Sequence, residues 1–126
     1  MKTLVKVALL TGALFIFCLG HAWAGCKDLV GTTWKGTTQN GTAVILQIQN
    51  ANQGFTNSLF LITGSLDNLV LLEQSYCAEQ EGKIHKVIAK ATNNILRIKQ
   101  FSSQGEATGS GKINGKIVSE FTLFRQ

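Results

Sequence analysis

Cys26 and Cys77 have the most definite chemistry in this 126-residue chain. The third cysteine, Cys18, lies in an N-terminal segment laid out like a secretory signal peptide, and a chain that loses it keeps an even pair. In an oxidising compartment such a pair reads as one disulfide. It would close a loop of about 50 residues and stabilise by roughly 4 kcal/mol through restricting the unfolded chain. Two free buried thiols are the alternative. A competing reading makes Cys26 a lipid attachment site, since Trp23-Ala24-Gly25-Cys26 ends in two small residues and a cysteine. Trp23 stands where that motif normally carries Leu or a similar aliphatic residue.

Residue types suited to catalysis are present but scattered. His85 lies between Ile84 and Lys86, with no cysteine or second histidine at ligand spacing, so no metal site is expected. Gly109-Ser110-Gly111 lacks the spacing of a nucleophile elbow, and no acid–histidine pair stands near it. Gly111-Lys112 lacks the upstream glycine and the following Ser or Thr of a phosphate loop. Glu79 and Glu81 are the one close pair of carboxylates, and Gly82 beside them marks a turn. The expectation is a protein that is not an enzyme and uses no cofactor.

The most populated charge feature is basic. Lys83, Lys86, Lys90, Arg97 and Lys99 fall in 17 residues (83 to 99) with no acid among them. Such a set offers either a patch for an acidic partner, protein or glycan, or an ordinary solvated face.

These residues need elements to hold them. Lys2 and Lys6, the apolar run Val7–Leu19 and Ala22-Trp23-Ala24 predict a cleaved leader over residues 1–24, whose apolar part is too short to span a ~30 Å hydrocarbon core comfortably. A single domain then covers residues 25–126, secreted or periplasmic, or anchored at Cys26 in the lipoprotein alternative. Without Lys2 and Lys6 the net charge falls from +5 to +3, too mild to point to nucleic acid. No proline, low-complexity tract or linker divides the domain, and no transmembrane segment is expected in it.

Short apolar stretches alternate with polar residues between turn signals such as Asn40-Gly41, Glu81-Gly82, Asn93-Asn94 and Asn114-Gly115. This predicts about eight strands: Thr32–Thr37, Thr42–Asn50, Asn57–Gly64, Leu69–Cys77, Lys83–Ala91, Ile95–Phe101, Glu106–Ile113 and Lys116–Phe124. The expected fold is all-β, a small antiparallel up-and-down barrel. In the last strand Ile117, Phe121 and Leu123 are assigned to one face. One segment has a second reading, because Ile84, Val87, Ile88 and Ala91 also fit a helical face. That would make the domain α+β with one helix near 83–92. The hairpin reading turns at Asn93-Asn94, puts Val87, Ala89 and Ala91 on one face with Leu96 and Ile98, and sets Lys90 against Arg97.

The two ends of the domain resemble avidin and lipocalin barrels, the calycins. Leu29-Val30-Gly31-Thr32-Thr33-Trp34-Lys35-Gly36 is similar to their first strand, and Glu120-Phe121-Thr122-Leu123-Phe124-Arg125 to their last. The resemblance implies a barrel in which Trp34 lies at the closed end with Arg125 packed on it. Gly31 and Trp34 stand one residue further apart than the lipocalin Gly-x-Trp, and Trp34 is the one tryptophan after residue 24. Biotin binding is therefore not implied.

The leading expectation is an exported, non-enzymatic binding barrel for a small apolar ligand. A protein-interaction, inhibitor or host-interaction factor using the outer surface comes second, and a hydrolase third. An eight-stranded barrel either holds one small ligand or fills with side chains, so the state of the interior discriminates the first two.

Overall fold

The computed structural model describes residues 25–54, 56, 58–67 and 70–126, so the predicted leader lies outside the described residues. A 3₁₀ turn, Cys26–Leu29, is followed by nine strands. They are β1 Thr32–Thr37, β2 Ala43–Gln53, β3 Leu59–Leu66, β4 Val70–Leu71, β5 Ser75–Gln80, β6 Lys83–Ala91, β7 Asn94–Lys99, β8 Glu106–Ile113 and β9 Lys116–Arg125. All pairings are antiparallel, and pairing of β2 with both β1 and β3 closes an eight-stranded barrel. The two-residue β4 is the extra strand. It pairs with Ser65 and Leu66 of β3, while β5 takes Leu59–Ile62 along the same edge.

The alternative helix at 83–92 is overturned. Lys83–Ala91 is a strand, and its helix-like spacing comes from a register shift: Ala78 pairs with Lys86, but Glu79 pairs with Ile84. His85 is the extra residue of a β-bulge, which reverses the in–out phase so that Ile84 and Val87 both meet the core. A second bulge explains another difference. Gly109 pairs with Phe121 and Gly111 with Val118, so β9 holds an extra residue. Val118 is therefore inside, and Ile117, assigned to the inner face by alternation, is outside.

The β6–β7 turn also differs by one residue from expectation. It comprises Thr92-Asn93, with Asn93 at φ 63°, and Asn94 already pairs with Ala91. The register thus moves by two, which keeps every face but sets Lys90 opposite Ile95 and Arg97 opposite Ile88. Asn94 holds this arrangement: its Nδ2 donates to Thr92 O at 2.8 Å and its Oδ1 accepts from Asn114 N at 2.7 Å. The predicted strand Leu69–Cys77 is broken between β4 and β5, where Gln74 takes a φ of 48°.

One end of the barrel is closed by the N-terminal turn. Cys26 is bonded to Cys77 on β5, and its backbone N–H donates to Glu79 Oε2 at 2.7 Å. Leu29 is fully buried beneath that turn. Trp34, 1% exposed, packs edge-on against Phe101 with ring centroids 5.3 Å apart. Its Nε1 donates to Thr32 Oγ1 at 2.9 Å, and that hydroxyl donates to Leu29 O at 2.6 Å. A buried indole thus keeps its polar atom satisfied.

Candidate functional site

The interior is filled with side chains. Val44, Leu46, Leu96, Ile98 and Leu123 are essentially inaccessible, and small residues stand beside the large ones, Ala89 opposite Leu96 and Ala107 opposite Leu123. A Cβ added at Gly109 would lie 3.1 Å from Leu123 Cδ1 and 3.2 Å from Phe121 Cζ, so even the glycine wall is fully used. None of the principal hollows among the described residues lies inside the barrel. They open on the outer wall and at the strand ends.

The catalytic and metal candidates do not converge. His85 is exposed on the β6 bulge. Ser110 faces outward on β8 opposite Arg97. Glu79 is engaged by the Cys26 amide. No group of three His, Cys, Asp or Glu among the described residues is placed to hold a metal ion. No helix among them is long and apolar enough to cross a membrane. The Cys26 sulfur is used in the disulfide, so it cannot at the same time form the thioether of a lipid anchor.

Trp34 and Arg125 are directly opposite each other where β1 meets β9. They therefore point to the same side of the sheet. Arg125 N donates to Gly105 O at 2.8 Å, and a Cβ on Gly105 would lie 3.8 Å from Arg125 Nε. The Arg125 stem therefore lies beside Gly105, in the β7–β8 connection.

The basic residues are brought together on the outer wall. From Lys86 onward, the even-numbered residues of β6 and the odd-numbered residues of β7 point away from the core. The cross-strand register makes one row of Lys90, Ile95, Lys112 and Ile117 over β6, β7, β8 and β9. The next row holds Tyr76, Ile88, Arg97 and Ser110 over β5 to β8. Cations and isoleucines alternate along the first of these rows, and Ile88 lies between Lys86 and Lys90 on the outer face of β6. Lys86 and Lys99 flank these rows toward the closed end, whereas Lys83 lies beyond the β6 bulge, opposite Gln80.

Alternation and charge predicted the β6 and β7 members of this wall. The aliphatic members Ile88 and Ile95 carry no charge to mark them, and Lys112 and Ile117 join only through the β7–β8–β9 register. Lys90 Nζ donates to Gln74 Oε1 at 3.3 Å. Among the described residues, no hydrogen bond or ion pair engages the side chains of Lys86, Arg97, Lys99, Ser110 or Lys112. The carboxylates of these strands lie elsewhere: Glu106 is opposite Phe124 near the closed end, and Glu120 lines a separate hollow with Lys35.

Comparison with known proteins returns no matching family model, no matching curated protein and no matching solved structure.

Proposed function

We propose that this chain is an exported, non-enzymatic binding protein that docks an acidic protein surface through the outer wall of β6, β7 and β8. The observation that carries this reading is the row Lys90–Ile95–Lys112–Ile117, a cationic and aliphatic surface without carboxylates in it. Ordinary solubility does not require large aliphatic side chains between the cations, and Ile117 is 79% exposed. Charge complementarity steers encounter, and desolvated aliphatic area supplies affinity. The small-ligand reading loses support because leucine, isoleucine and phenylalanine side chains occupy the space such a ligand would need. Export rests on the predicted leader, and the disulfide is compatible with a periplasmic or extracellular location.

Poly-L-glutamate is a direct probe for the chain from Gly25 to Gln126, which contains the whole barrel. Binding should fall steeply with added salt, and the double variant Lys90→Gln/Arg97→Gln should bind more weakly with a flatter salt dependence. Equal affinity and equal salt sensitivity in the double variant would reduce the wall to a solvated surface.

A further inference from the structure

We infer that the hollow of about 480 Å³ over β7, β8 and β9 is the seat for one carboxylate side chain of the protein partner, with an adjacent aliphatic side chain against Ile95 and Ile117. This rests on the outer-wall reading above and assigns its central contact. The hollow is lined by Ile95, Arg97, Ser110, Gly111, Lys112 and Ile117, together with Val118.

The register places its donors. Arg97 is directly opposite Ser110, and Lys112 is directly opposite Ile95. Arg97 and Lys112 are therefore diagonal neighbours on one face, with Cα atoms about 7–8 Å apart, a separation that long side chains bridge easily. An oxyanion between them meets a planar guanidinium fork, an ammonium and the Ser110 hydroxyl. The fork matches a carboxylate in two-point geometry, which a phosphate-free acidic side chain provides. In the free protein no hydrogen bond or ion pair engages either cation, so an incoming anion offsets their mutual repulsion as well as adding bonds. The floor is bare because Gly111, at φ 141°, brings β8 so near β7 that a Cβ would strike the Ile95 carbonyl oxygen. Ile95 and Ile117 border the basic donors, and only an amphipathic occupant uses both chemistries.

The curvature of the wall favours a protein over a bilayer. Neighbouring strands of a closed eight-stranded barrel turn away from one another around its axis, so the wall from β6 to β9 is convex. A flat lipid surface meets one or two strands, whereas a side chain enters a hollow bounded by three.

The test is an amide NMR titration of the Gly25–Gln126 chain at low ionic strength with the capped dipeptide N-acetyl-leucyl-glutamyl amide and its glutaminyl counterpart. Shifts should centre on Ser110, Gly111 and Lys112, and the glutaminyl peptide should bind several-fold more weakly. Arg97→Gln and Lys112→Gln should each lower glutamyl affinity about five-fold or more, about 1 kcal/mol. Lys83→Gln, with the same change of charge outside the hollow, should lower it less than about two-fold. Shifts spread evenly along the basic wall, with all three variants equivalent, would overturn the hollow and leave the outer-wall reading standing. Failure to bind either the dipeptide or poly-L-glutamate would overturn both. Sedimentation with phosphatidylglycerol vesicles, lost in Ile117→Ser and without any response to the dipeptide, would replace the protein partner with a membrane.

Discussion

The backbone N–H of Cys26 donates to Oε2 of Glu79, two residues beyond the cysteine to which Cys26 is already bonded. The N-terminal turn is therefore held to β5 twice, once covalently and once by a charged acceptor. The sulfur sets the distance between the segments, and the carboxylate fixes the orientation of the turn that covers Leu29.

Glu79→Gln keeps an acceptor oxygen and should lower stability by less than about 1 kcal/mol, whereas Glu79→Ala leaves a part-buried amide without its partner and should cost about 1–2 kcal/mol. Urea unfolding followed by circular dichroism separates the two. Equal costs would mean that the carboxylate contributes packing rather than a hydrogen bond.

The disulfide should account for a large share of the stability. With 51 residues of separation, its removal in Cys26→Ser/Cys77→Ser should cost about 4 kcal/mol in the chain-entropy account. If the predicted leader is cleaved, the protein should have the mass of a chain beginning at Gly25 with one disulfide, and its thiols should alkylate only after reduction. A diacylglyceryl adduct on Cys26 would contradict this.

Trp34→Ala should cost about 3–5 kcal/mol, as truncation of a fully buried aromatic does. Arg125→Ala should cost less, about 0.5–2 kcal/mol, since stem packing and any cation–π contact are its contributions. Emission from Trp34 should be blue-shifted and protected from iodide. A water-exposed spectrum would be incompatible with the closed end described above.

Gly111→Ala should destabilise by more than about 1 kcal/mol, because the new Cβ meets the Ile95 carbonyl and the backbone conformation disfavours a side chain. A drop in melting temperature of at least about 4 °C is the expected reading for a domain of this size. An unchanged midpoint would show that β7 and β8 can part without loss.

Most of the barrel was legible because its strands lie between strong turn residues. Thr32–Thr37, Lys83–Ala91 and Glu106–Ile113 have the predicted bounds. Bulges defeated the alternation elsewhere. His85 made β6 look partly helical, and the extra residue before Phe121 placed Ile117 on the wrong face. Neither bulge has a local signal, since the extra residue is forced by pairing with a partner strand. The basic outer wall was half legible for the same reason. Lys86, Lys90, Arg97 and Lys99 form a visible run, while Lys112 and Ile117 join them only once β8 and β9 are laid beside β7.

The barrel is completed by three residue pairs between β1 and β9, Trp34–Gly36 with Leu123–Arg125. These join the first and last strands, so the sheet cannot become a cylinder until the final residues of the chain have arrived. A chain delivered from its N terminus has both cysteines present well before that moment, and a covalent loop can form while Trp34 is still uncovered. Topology thus permits cross-linking before closure. Because the closing contact spans nearly the whole domain, it carries the largest loop-closure entropy of any strand pair and should set the slowest step of folding.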